Sequence, residues 1–285
     1  MLTDTHAHLD FPEFTEDLDE VIARASDHGV TRIIAIGTRL ETSRNAVALA
    51  EKYPNVFATV GVHPTSVDEE KADFIPELRE LAKSPKVVAI GEAGLDYYRL
   101  PGRQIVPKSA QAMHALQGDI PEDSEAAIAD GAYKSAQQEA FYAQLELAAE
   151  LGLNVVIHQR DSWQDCWDIL CDFHGKLRGV FHCFGGDPET ARTVLAAGHL
   201  VSFTGIVTFK NAESVRETVG SLPEDGFMVE TDCPFLAPVP HRGKRCEPSF
   251  TRLVAEKIAE IRQASLETIA RQTNATAEKF FRFES

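Results

Sequence analysis

Eight short runs rich in apolar and β-branched residues recur along the chain, and amphipathic stretches separate most of them. The runs are LTDTHAHL from Leu2, RIIAIG from Arg32, VFATVGVHP from Val56, VVAIGEAGLD from Val87, NVVIHQ from Asn154, GVFHCF from Gly179, LVSFTG from Leu200 and FMVETD from Phe227. Between them, DLDEVIARASDHG, SRNAVALAEKY, FIPELRELAKS, QQEAFYAQLELAAELG and DPETARTVLAAGH repeat apolar residues near helical spacing. Strands that are apolar nearly throughout need cover on both faces, and connections long enough to hold a helix make neighbouring strands parallel. Eight such units predict an α/β fold closed as a (β/α)8 TIM-type barrel, and 285 residues suit a single barrel over 1–285. The alternative, an open doubly wound sheet, needs a glycine-rich phosphate loop after the first strand, where this chain has THAHLDFPEF.

One interval breaks the alternation. From about Leu100 to Gln137 the sequence is long, polar and rich in Pro, Gly and Ala, which predicts an insertion in the loop after strand four. Two more amphipathic stretches, SFTRLVAEKIAEIRQ and SLETIARQTNATAEKFF, follow the last strand and read as closing helices.

Composition narrows the function. The formal charge of -16 argues against a protein that wraps nucleic acid with a basic surface, because Lys and Arg normally supply that affinity, so any phosphate site must be local. No basic leader with an apolar core precedes the first strand and no apolar run approaches a bilayer span, which predicts a cytoplasmic protein with no membrane partner. Cys166, Cys171, Cys183, Cys233 and Cys246 form no CxxC pair and are odd in number, so reduced thiols are expected.

Unusual polar residues fall at the strand ends. His6 and His8 end strand one, His63 strand three, Glu92 strand four, His158 strand five, His182 strand six and Asp232 strand eight. In a parallel barrel these carboxyl ends meet on one face, where barrel enzymes carry their active sites. Five imidazoles and two carboxylates gathered there would be costly to bury without a partner, and divalent cations are the natural one. His6 and His8 alternate along one strand, so both can grip one ion from the same side. Asp4 shares that face, either orienting the imidazoles or holding nearby backbone. His28, His114, His174, His199 and His241 lie at helix ends, in loops or in the insertion, and read as structural.

The stretches DTHAHLD, GVHP, AIGEAGLDYY, VVIHQRD, FHCFGG, ETDCPFLAP and RGKRCEP occur in the order in which the TatD family of metal-dependent deoxyribonucleases carries them, and the chain resembles that family over nearly its whole length. The resemblance implies a two-metal site: His6, His8 and Asp232 on one divalent ion, His158 and His182 on the other, and Glu92 bridging, with Mg, Mn or Zn as the metal. It implies that Asp232, Glu92 and His63 are catalytic, and that His63, Arg160, Lys244 and Arg245 line the substrate cleft. Gln159 and Ser162 stand where the family more often has Ser and Ala, and Cys246 where it has Asn, departures that bear on substrate preference. The expected activity is phosphodiester hydrolysis of DNA, as a 3′–5′ exodeoxyribonuclease on single strands, with RNA as a further substrate. The alternatives are an amidohydrolase-like enzyme acting on an ester, lactone or amide, and a non-catalytic binding or scaffold barrel. Trp163 and Trp167, four residues apart, suit helix packing better than base stacking, for which Tyr97 and Tyr98 are comparable candidates.

Overall fold

The computed structural model describes residues 1–71, 73–102 and 124–283. Eight strands, β1 (Leu2–Ala7), β2 (Val30–Ile36), β3 (Val56–Val60), β4 (Val87–Asp96), β5 (Asn154–Arg160), β6 (Gly179–Phe181), β7 (Leu200–Phe203) and β8 (Phe227–Val229), form one sheet. Each pairs in parallel with its sequence neighbours. The helices α1 (Leu18–Asp27), α2 (Leu40–Lys52), α3 (Ile75–Leu81), α4 (Glu125–Leu151), α5 (Trp163–Cys171), α6 (Pro188–Ala196), α7 (Glu213–Ser221) and α8 (Thr251–Arg262) follow the strands one by one, and α9 (Leu266–Phe281) ends the series. This is the predicted (β/α)8 barrel, nearly closed.

The alternation of side chains divides the core in two. Ile33 and Ala35 of β2 belong to the large cluster shared with the helices, whereas Ile34 and Ile36 point the other way. They join Phe57, Val88, Val156, Val180, Leu200 and Met228 inside the barrel, where Phe280 and Phe281 of α9 pack as well. Two residues further along β5, β6 and β8, the same inward face carries His158, His182 and Glu230. The barrel interior is therefore layered, apolar first and polar towards the carboxyl ends.

Closure of β8 against β1 occurs at those ends and is made by irregular backbone. Asp232 N donates to His6 O at 2.9 Å and His8 N to Cys233 O at 2.9 Å, so the seam of the barrel itself sets Asp232 beside His6 and His8. At β4, Gly91 and Gly94 have φ of 133° and 146°, and a Cβ on Gly91 would stand 2.6 Å from the Val156 carbonyl oxygen. Only glycine permits this backbone at such close approach to β5, and Glu92 between the two is thereby brought against His158.

The interval from about Leu100 to Gln137, read from sequence as an insertion loop, differs from that expectation in its second part. From Glu125 it is the first half of α4, entered through a Ser124 side chain that accepts from Ala127 N and left 27 residues later at Gly152, φ 68°. Few residues of this half are buried, so it lacks the apolar periodicity that marks a packed helix, although its Ala, Gln and Lys residues favour helix. Residues 103–123, His114 among them, lie outside the described residues. Among the described residues, no helix is long and apolar enough to cross a membrane.

Candidate metal centre

Glu92 lies at the centre of the mouth, 3% exposed, and its two oxygens face different groups. Oε1 is 2.7 Å from His182 Nε2, 2.8 Å from His158 Nδ1 and 3.5 Å from His63 Nε2. Oε2 is 3.4 Å from His6 Nε2 and 4.0 Å from His8 Nε2. Asp232 Oδ1 closes the second group, 3.3 Å from His8 Nε2 and 3.6 Å from His6 Nε2. All seven strand-end residues singled out from the sequence thus converge on one site.

The electrostatics are those of anions surrounded by imidazoles. Burial alone would raise the Glu92 carboxyl, but His182, His63 and His6 together hold it well below the carboxylate range. Asp232 is likewise lowered against its burial by His8 and His6. The carboxylates in turn raise His8, His158 and His182 despite the burial of all three rings. His6 is lowered by burial and by His182, whose ring stacks on it at 4.0 Å.

The donor set fits divalent cations. His6 Nε2 and His8 Nε2 face each other at 3.3 Å, and His158 Nδ1 and His182 Nε2 at 3.2 Å. Nδ1 of His6 and of His8 is buried with no hydrogen-bond partner, so what holds these two rings is on the Nε2 side, towards the carboxylates. Imidazole nitrogens and carboxylate oxygens converging in this way are the ligands that zinc, manganese and related ions take.

Two carboxylates that the sequence reading passed over lie behind the imidazoles, Asp96 within hydrogen-bond distance of His158 and Glu230 just beyond it from His182. Glu230, 1% exposed, lies 3.7 Å from His182 Nδ1 and is itself fixed by Ser202 Oγ and Cys183 N, each 2.6 Å away. Asp96 Oδ2 lies 3.2 Å from His158 Nε2, and its other oxygen accepts from Tyr98 N. The signal was present: Glu230 is two residues before Asp232 and Asp96 four after Glu92, both in step with strand alternation. Asp4 takes the other role open to it. Its carboxylate accepts from Thr231 Oγ1 at 2.6 Å, Thr231 N at 2.9 Å and His6 N at 3.3 Å, so it joins β1 to the residues after β8. Burial pushes its carboxyl up to about 7 against those bonds.

The basic residues divide. Arg160 is exposed at the end of β5 with its guanidinium 3.7 Å above the Tyr98 ring, and Lys244 is exposed. Arg245 instead makes a two-pronged pair with Asp17, 2.7 Å at each prong, donates to Glu13 O at 2.6 Å and lies over Phe14. It ties the loop after β8 to the segment after β1. Trp163 and Trp167 stack on one another at 5.3 Å and pack against the core, as their spacing predicts. The half-exposed aromatics near the mouth are Tyr98 and Phe235, the latter 6.3 Å from the His8 ring. All five cysteines are free thiols.

Comparison with known proteins agrees with this arrangement. The family model for TatD related DNase matches residues 3–282. YabD of Bacillus subtilis, named as a metal-dependent hydrolase, is 38% identical over 283 residues, 99% of each chain. The protein of Erwinia billingiae named 3′-5′ ssDNA/RNA exonuclease TatD is 34% identical over 286 residues, 98% of each. Among solved structures, the TatD homologue YJJV of Escherichia coli K12 superposes with a TM-score of 0.82 at 25% identity, covering 99% of this chain and 98% of that one. The chain belongs to the TatD related DNase family, as a metal-dependent hydrolase of the TatD type.

Proposed function

We propose that this chain is a two-cation phosphodiesterase that shortens single-stranded DNA, and RNA as a second substrate, from the 3′ end. The observation that carries the reading is the division of Glu92, one oxygen towards His158 and His182 and the other towards His6 and His8. On this reading His6, His8 and Asp232 would hold one ion, His158 and His182 a second, and Glu92 would serve both. When bound, the cations supply Lewis acidity at the phosphodiester and an activated water near neutral pH.

The chain's own groups do the rest. Asp232, held ionised, takes the proton of the attacking water and passes it outward. His63 contacts the phosphate or the departing oxygen. Arg160 and Lys244, exposed, steady the anionic strand. The substrate class is supported by the names of relatives in Erwinia billingiae and Citrobacter rodentium, each a 3′-5′ ssDNA/RNA exonuclease. It also reconciles a charge of -16 with an anionic substrate, because bound cations would place positive charge at the mouth of an otherwise acidic chain.

The test is cleavage of single strands labelled at either end, after chelation and separate addition of Mg, Mn and Zn, beside a lactone and ester panel. Metal-restored, stepwise loss from the 3′ end is expected. Turnover of a lactone or ester with intact strands would replace this reading by the amidohydrolase-like one.

A further inference from the structure

The sequence Val62-His63-Pro64-Thr65 decides which nitrogen of His63 carries its proton. His63 caps the single turn Pro64–Ser66, and because Pro64 has no N–H, the first free donor of that turn is Thr65 N. Thr65 N donates to His63 Nδ1 at 3.1 Å, and Thr65 Oγ1 is 2.7 Å from the same nitrogen. A backbone N–H can only donate, so Nδ1 must present a lone pair. A proton there, whether in the other tautomer or in the imidazolium, would point at the Thr65 proton. The ring is therefore neutral and protonated at Nε2.

Nε2 faces the centre of the site, 3.5 Å from Glu92 Oε1, with the His158 ring 4.3 Å away edge to face. The backbone on both sides of His63 is pinned. His63 N donates to Thr38 O at 2.9 Å, and Gln144 of α4 bonds both Val62 N and Val62 O, at 2.8 and 3.0 Å. Turning the ring over would put a carbon in place of Nδ1 and lose both contacts to Thr65.

We propose that Thr65 is a positioning residue that locks His63 in the Nε2–H tautomer, so that His63 meets the substrate's phosphate or leaving oxygen as a hydrogen-bond donor. The proposal rests on the reading above for the identity of that oxygen, though not for the tautomer. Its consequence concerns the donor cluster. His63, Glu92 and His158 lie close enough together to hold an ion, yet a His63 with Nδ1 engaged and Nε2 protonated has no lone pair to offer. On this proposal His63 stands outside the ligand set.

The experiment is a long-range proton–nitrogen correlation spectrum of 15N-histidine-labelled, zinc-loaded full-length protein, with His63 assigned by loss of its signals in His63→Gln. The lock predicts a protonated Nε2 and a lone-pair Nδ1 for His63 in the loaded enzyme. Thr65→Val, which keeps the N–H and loses the hydroxyl, should lower kcat by about fivefold with little change in KM, the size of one hydrogen bond. Thr65→Ser should restore both. A His63 protonated at Nδ1, or a zinc-shifted Nε2, overturns the proposal, as does wild-type kcat in Thr65→Val or an equal loss in Thr65→Ser. Because the tautomer is read without substrate, a chain that proves to hydrolyse lactones would refute the substrate assignment and leave the lock standing.

Discussion

Glu230 lies beneath the site, two residues from Asp232, and three donors hold it: Ser202 Oγ, Cys183 N and, at 3.3 Å, Thr5 Oγ1. Imidazoles that bind cations commonly give their other N–H to such a group, and loss of it typically weakens binding by about 10- to 100-fold. Glu230→Gln should therefore lower zinc affinity, measured by competition with a chelating dye, by about that factor while the far-ultraviolet dichroism stays unchanged. His199 offers a residue away from the site. Burial, with Arg178 and His174 adding, pushes its imidazole down to about 4, and Gly179 N donates to its Nδ1 at 2.9 Å. Between about pH 6.5 and 4 the unfolded chain takes up a proton that the folded chain refuses, so stability falls as pH drops through that window. His199→Asn, which keeps an acceptor, should remove at most about 1.4 kcal/mol per pH unit of that slope in urea titrations. Residues on strands were legible because alternation places them. Thr65 was not, since a cap that acts on a side chain of the preceding residues leaves no periodic trace.

At the scale of elements, α4 does more than cover the sheet. Gln137 and Gln144, two turns apart on one face, each bond a strand end through both amide atoms. Gln144 takes Val62, and Gln137 takes Asp96 N and O at 2.9 and 3.1 Å. Tyr133 on the same helix reaches Pro64 O at 3.4 Å. Gln144→Leu would leave two buried backbone groups beside His63 unpaired, and should cost about 1–3 kcal/mol in denaturant melts together with a loss of activity. In the sequence Gln144 carries no mark that sets it apart within its amphipathic stretch, and Gln137 fell at the edge of the supposed insertion. Burial of a glutamine against an exposed backbone end follows from the register between α4 and the strands, which spacing does not fix. The RGKR segment is similar. The resemblance placed both Lys244 and Arg245 in the substrate cleft, but the Asp17 that claims Arg245 lies 228 residues away. In binding to single strands, Arg245→Gln should leave the salt slope unchanged, whereas Lys244→Gln should reduce it by about 0.7.

The whole molecule was the most legible scale. Eight apolar runs with helical spacers dictate a closed parallel barrel, and the carboxyl-end rule then gathers residues from His6 to Asp232 on one mouth. What spacing could not show is how β8 meets β1, because closure is made by Asp232 N and His8 N outside any regular ladder. The same seam places one acid, Asp232, within 4 Å of two imidazoles, His6 and His8, so fold closure and site assembly are one event. Cations that bind only the assembled mouth should stabilise the fold by mass action, so chelation is expected to lower Tm and re-addition to restore it. The most direct test of the central claim is anomalous diffraction from metal-soaked crystals at the metal's absorption edge. Two peaks flanking Glu92 are expected, one among His6, His8 and Asp232 and the other between His158 and His182. A single peak away from Glu92, or peaks scattered over the surface, would contradict the account.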